Sequence, residues 1–185
     1  MVDSRFSLLL RAPLDWLEVA AWGGRPQPLG ARVLVQGVVL SEAGVLLALR
    51  RELRGWELPG GRAQPGENER DALVREIHEE TGLWVQPVER VGEYRRSGFA
   101  PHRALVQRCV VTGGALAPSA DTPAVAWWDP AALPPTLFPW FRRPLLDALG
   151  AGPRPVERDE RLGLAAIAAG LRIDLTTRWR GHGSR

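Results

Sequence analysis

Lysine is missing altogether: every one of the 24 basic residues among 185 is arginine. Against 21 acidic residues the net charge is only +3, so the isoelectric point of about 10.2 records the basicity of guanidinium rather than a large positive excess. The arginines are spread along the chain and mixed with acids. A nucleic-acid reader would cluster them or interleave them with aromatics, so that partner is disfavoured. Cys109 is the single cysteine, which excludes an internal disulfide, and its place in the apolar run Leu105 to Val111 reads as a buried small hydrophobe. No stretch approaches 18 consecutive apolar residues, so no membrane span is expected. The opening MVDSRFSLLLRAPLDWLEV also lacks a basic start, a long uninterrupted apolar region and a cleavage site. These absences leave a cytoplasmic enzyme as the default.

What is present fits one globular domain with tails. The hydrophobic fraction of 45% and charged fraction of 24% are ordinary, and the length suffices for a real core. Pro26 and Pro28 separate an N-terminal extension, 1–28, from a main domain, 29–150. In the extension the run Phe6 to Leu10 reads as a strand. Ala31 to Leu40 and Val45 to Leu49 read as a hairpin, and Trp56 to Leu58 as a strand that delivers the chain to Gly60-Gly61. Trp84 to Tyr94, Arg103 to Thr112 and Val125 to Trp128 are further strands, with Pro87 interrupting the first or marking an edge. Arg95 to His102 reads as a polar loop, Gly113-Gly114 as a turn, and Leu137 to Leu149 as a helix with prolines at its start. Gly152, Pro153 and Pro155 open a tail, 151–185, whose period from Leu162 to Leu171 is that of an amphipathic helix. This helix could cover the domain or pair with a second copy as a homodimer. Gly181 to Arg185 reads as a disordered end.

The most informative stretch is Gly61 to Leu83, GRAQPGENERDALVREIHEETGL. Asn68 is a good N-cap and Gly82 a C-cap, so a helix is expected from about Asn68 to Thr81. Ala72, Leu73 and Ile77 face the core, while Glu76, Glu79 and Glu80, spaced i, i+3, i+4, project together. Each like-charge pair at that spacing costs roughly 0.2–0.5 kcal/mol in an isolated helix. Arg75 can offset only part of this, whereas a divalent cation can offset more. Hard oxygen ligands favour Mg²⁺ or Mn²⁺ over zinc.

Gly61, Glu67, Arg75-Glu76, the aliphatic Ile77, Glu79-Glu80, Gly82 and the aliphatic Leu83 stand at the fixed positions of the Nudix box, with no departure. Seven such positions coincide by accident in roughly one start site in a hundred million at average residue usage. The chain thus resembles the Nudix hydrolases. The resemblance is specific over about 30 residues and extends, in hydrophobic pattern only, over about 120.

The resemblance implies an α/β/α sandwich with a mixed β-sheet between helices, and hydrolysis of a nucleoside diphosphate linked to another group with Mg²⁺ or Mn²⁺. Small nucleotides are the implied partners. It makes Glu76, Glu79 and Glu80 metal carboxylates, Arg75 their orienting partner, Glu67 a supporting ligand, and Gly61 the residue that lets backbone reach metal or phosphate. The general base could be Glu76, Asp121 in the late loop, or Glu93. Arg50, Arg62, Arg95, Arg96 and Arg103 could hold phosphates, His102 could approach substrate, and Trp22, Tyr94, Phe99 or Trp140 could stack on a base. Trp56 reads as core and His78 as helix surface. Pro101, 18 residues beyond Leu83, is a displaced version of a proline typical of the ADP-ribose group. ADP-ribose or a nucleotide sugar is accordingly preferred over an oxidised nucleoside triphosphate. RNA 5′ pyrophosphate removal and a catalytically silent nucleotide sensor are the remaining alternatives.

Overall fold

The computed structural model describes Leu14, Trp16, Leu17 and residues 32–180. The expected strand at Phe6 to Leu10, Trp22 and the end at 181–185 lie outside the described residues. The frame is one mixed sheet: β1 (Val33–Ser41), β2 (Gly44–Leu49), β3 (Trp56–Glu57), β4 (Gly60–Arg62), β5 (Leu83–Gly98), β6 (His102–Gly114), β7 (Ala124–Trp128) and β8 (Val156–Leu162). The order is β3-β2-β1-β6-β5-β8, with β4 added on β1 and β7 on β2. The β1–β6 and β5–β8 pairs run parallel, the others antiparallel.

Helices cover both faces. On one side α1 (Glu69–Thr81) presses Ala72, Leu73 and Ile77 onto Val35, Val39, Leu46, Val85 and Cys109. On the other, α2 (Pro139–Leu149) and α3 (Leu164–Arg180) lie over a larger core that includes Val38, Leu47, Trp56, Tyr94, Phe138 and Phe141. The α/β/α sandwich with a mixed sheet is therefore present, and Trp56 and Cys109 are core residues as expected. The ends of α1 follow the local chemistry. Asn68 accepts from the Arg70 and Asp71 amides, and Gly82 takes the left-handed conformation at φ 74.

Two departures from the sequence reading share one cause. Arg95 to Gly98 is strand rather than loop, and the tail opens with strand β8 before its helix. Both segments are highly polar. Their side chains pair across the ladder instead of packing: Arg95 binds Asp159 and Glu157, and Arg96 binds Glu160. Opposite charges placed across a ladder stabilise it, a pattern that composition alone reads as loop. Gly113 and Gly114 likewise continue β6, opposite Trp84 and Leu83. Pro87 sits where β5 has β6 on one side only, because pairing with β8 begins at Gly92. A missing donor is tolerated at such an edge.

Candidate active site

The chain turns at Leu58-Pro59 so that β4 folds back on β1, placing Gly60 opposite Gln36 and Gly61 opposite Val35. The amide of Gly37 donates to the Pro59 carbonyl at 2.9 Å and fixes the turn. α1 crosses beneath this corner. Its Glu80 accepts from the Gly60 amide through Oε2 at 2.9 Å. Glu76 lies directly against Gly61, where a methyl group would stand 2.2 Å from Oε2. Glu57, at the end of β3, is 8% exposed and faces the same corner.

Carboxylates so placed are expensive to ionise. Burial, with the Glu57 charge adding to it, pushes Glu80 up to about 8, against the opposing Gly60 amide and Arg50. Burial also raises Glu57, with Arg50 opposing. The Arg50 guanidinium approaches Glu57 at 3.4 Å and Glu52 at 3.7 Å while its side chain stays 45% exposed. It is raised chiefly by Glu57. The corner thus holds buried negative charge with one cation at its open side.

Arg75 is the hub of the outer half. It donates to Glu67 through Nε and Nη2 at 2.9 Å each, to Glu76 at 2.9 Å, to Glu79 at 3.2 Å and to the Arg62 carbonyl at 3.2 Å. The paired hydrogen bonds from Arg75, with one from the Gln64 amide, hold Glu67 down at about 2. Glu79 is 58% exposed and turned toward Arg75. The expected trio therefore divides. Glu76 and Glu80 are one helical step apart along the same line and reach the corner, whereas Glu79 falls about 100° from Glu80 around the helix and stays at the rim. Among the described residues no three carboxylate, histidine or cysteine side chains converge as a ready metal cage. His78, expected on the helix surface, stacks on Trp84 with ring centroids 3.6 Å apart.

The proposed phosphate ligands divide as well. Arg50 and Arg62 stand close to Arg32, whose guanidinium is depressed by burial and then by those two charges. Arg32 and Glu57 were not singled out from the sequence. The signal was adjacency, since Arg32 immediately precedes β1 and Glu57 lies within the segment Trp56 to Gly60. Arg95 and Arg96 are instead committed to β8. Arg96 is fully buried, bound to Glu160 and the Trp140 carbonyl, with the faces of Tyr94 and Phe141 nearby. Arg103 is locked to Glu93 at 2.7 and 2.8 Å, which also removes Glu93 as an available base. Phe99 stacks on Trp16, Trp140 on Phe138, and the Tyr94 hydroxyl donates to Asp147, so all three rings are engaged in the larger core. Asp121 is exposed on the loop before β7, and its carbonyl accepts from the Arg51 amide at 3.1 Å.

His102 is buried and neutral. Nδ1 donates to the Ala100 carbonyl at 2.7 Å, which leaves Nε2 to accept from Arg96 at 3.3 Å. Burial pushes it down to about 4, with nearby arginines adding to the effect. Between pH 4 and 6.5 the unfolded chain binds a proton at this position that the folded chain refuses. Its contribution is therefore complete above pH 6.5 and is lost as pH falls toward 4, by up to about 3 kcal/mol. Denaturant titrations should show His102→Asn losing this part of the pH slope; an unchanged slope would place the titration elsewhere.

A model of the NUDIX domain matches residues 31–149, the span that carries the corner, α1 and the sheet from β1 to β7. The chain belongs to the Nudix family. This Nudix hydrolase is 40% identical over 131 residues to a MutT-like protein of Streptomyces ambofaciens, covering 69% of this chain and 83% of that one. It is 36% identical over 111 residues to a Bacillus subtilis protein provisionally named an 8-oxo-dGTP diphosphatase, covering 60% and 74%. In fold it matches an ADP-ribose pyrophosphatase of Streptococcus suis with a TM-score of 0.58 at 21% identity, covering 70% and 98%. Nudix hydrolases act on small nucleotides and generally use divalent metal ions. The corner suits such an ion: its donors are all oxygen, and Glu80 is mostly protonated at neutral pH unless positive charge is added. Among the described residues no helix is long and apolar enough to cross a membrane.

Proposed function

We propose that this chain is a Mg²⁺- or Mn²⁺-dependent pyrophosphohydrolase of nucleoside triphosphates, oxidised purine triphosphates among them. The observation that carries the reading is a double crowding of charge. Arg32, Arg50 and Arg62 stand close enough to depress Arg32, beside carboxylates close enough to raise Glu80 and Glu57. Neither cluster is comfortable by itself. A polyphosphate with its divalent ion would add anionic charge beside the first and cationic charge beside the second. The two relatives named above carry MutT-like and 8-oxo-dGTP names, in agreement with this choice. The ADP-ribose preference drawn from Pro101 has weaker footing, since the neighbour with that name is similar in fold at only 21% identity.

In this reading Glu76 and Glu80 hold the ion, and Arg75 keeps Glu76 aimed while Glu67 and Glu79 anchor Arg75. The bound ion would neutralise phosphate oxygens and make a coordinated water more acidic. Arg50, Arg62 and Arg32 draw the polyphosphate tail outward from the corner. Water forms the new bond to phosphorus, the bridging P–O bond breaks, and Glu76 Oε2 receives the water proton. Nucleoside monophosphate and pyrophosphate leave.

Chromatography of products after incubation with Mg²⁺ and a panel of ordinary and oxidised triphosphates, ADP-ribose, nucleotide sugars and dinucleoside polyphosphates tests the reading. Monophosphate plus pyrophosphate from a triphosphate is expected. AMP plus ribose 5-phosphate as the dominant products would reverse the choice.

A further inference from the structure

Helix α3 lies beyond the residues that match the family, yet it reaches back to the turn between β2 and β3 that carries Arg50. Asp174 is fully buried. Its Oδ1 accepts from the Arg54 amide at 3.0 Å and from Arg178 Nε at 2.6 Å, and its Oδ2 from Trp16 Nε1 at 2.9 Å. Arg178, itself only 3% exposed in its side chain, donates through Nη2 to the Glu52 carbonyl at 2.5 Å. The turn is thereby gripped at two backbone positions, 52 and 54. Gly55 completes the docking, because a methyl group there would stand 2.6 Å from Phe138 and 2.9 Å from Ile173. Inside the turn the Arg50 amide donates to the Gly55 carbonyl at 3.3 Å, so the backbone of Arg50 moves with the gripped segment. Its guanidinium then meets Glu57, and its charge reaches Glu80.

We propose that α3 sets the position of the β2–β3 turn, and that Asp174 and Arg178 are positioning residues for Arg50 as a polyphosphate-facing cation. The inference rests on the triphosphate reading above. A buried ion pair is an uncertain source of stability, but here both partners also bind the backbone of one turn. Those bonds fix geometry whatever their net stabilising effect.

The test removes both charges together, as Asp174→Asn with Arg178→Met, so that no buried ion is left unpaired. Hydrogen exchange should speed up at amides 51–56 while β5 and β6 stay protected. With a nucleoside triphosphate and Mg²⁺, kcat/KM should fall on the order of tenfold or more, mostly through KM. In an Arg50→Ala background the same pair of changes should cause little further loss, because the residue they position is gone. Fully additive losses would overturn the proposal in favour of general stabilisation, as would unchanged exchange in the turn. If the chain turned over no triphosphate, the kinetic arms would fail while the exchange arm still reported whether α3 holds the turn. Should the double variant fail to fold, native-state exchange of the unmodified chain decides. The Arg54 amide and its turn should open together with α3, and a turn that exchanges freely beneath a protected α3 would refute the tether.

Discussion

The Glu80→Gln variant is expected to lose turnover by roughly 10³-fold or more and, without divalent ions, to be more stable than the unmodified protein at neutral pH. The two effects have one origin. Glu80 is held at about 8 in the fold against about 4.5 when free. A group raised in this way favours the fold fully below pH 4.5, and that contribution is lost as pH rises through 8, because the folded chain must ionise a buried carboxylate that the unfolded chain ionises easily. Glutamine keeps an acceptor for the Gly60 amide and never carries the charge. Melting with a chelator should therefore favour the variant by a few kcal/mol near neutral pH, with the gap closing toward pH 5. With Mg²⁺ the order should reverse, since the ion stabilises the carboxylate and has less to gain from the amide. Equal Mg²⁺-induced shifts of Tm in the two proteins would remove Glu80 from the metal site. Glu57 shares the corner and opposes the same charge, so the two carboxylates titrate as a coupled pair.

The contrast between Glu80 and Glu79 shows how far sequence reasoning reached. Spacing placed both on one side of α1, and capping by Asn68 and Gly82 fixed the frame of the helix to within a residue. Spacing does not say what lies across from the helix. Glu80 meets the β3–β4 corner and Glu79 meets solvent and Arg75, a difference created by β4 folding onto β1 some 20 residues earlier in the chain. The same blindness explains the arginines. Arg50, Arg62, Arg95 and Arg96 look alike as a list, but only the partner strand decides which are occupied. β8 takes Arg95 and Arg96, whereas Arg50 meets Glu57 of β3 at 3.4 Å with its side chain still 45% exposed, and Arg62 lies exposed in β4. β8 itself was illegible because its stabilisation comes from charge pairs with β5 and from Asp147, which Arg158 binds at 2.6 and 2.7 Å, and not from an apolar face. The sandwich, by contrast, was legible because apolar strands and a capped helix declare themselves locally.

Adjacent glycines at the corner should separate fold from chemistry. Gly60 has φ +142, a conformation side chains rarely adopt, and a methyl group there would stand 2.1 Å from the backbone oxygen of Val35. Backbone cannot retreat without parting β4 from β1, so Gly60→Ala should destabilise the protein by roughly 3 kcal/mol or more, seen as a large drop in Tm. At Gly61 the methyl group would meet the Glu76 carboxylate, the far end of a flexible side chain, at 2.2 Å. That carboxylate can swing away at little cost to the fold. Gly61→Ala should therefore keep Tm within about 3 °C while kcat/KM falls on the order of 10²-fold, because a carboxylate moved by even an ångström no longer addresses the same water or ion. Wild-type turnover in Gly61→Ala would show that the reaction does not use Glu76 beside Gly61, and the proton would then have to pass to a carboxylate outside α1, with Asp121 the first to examine. A Gly61→Ala protein that melts as early as Gly60→Ala would mean instead that Glu76 is packed at the corner as structure, and that the close approach of α1 to β4 serves the fold before it serves the reaction.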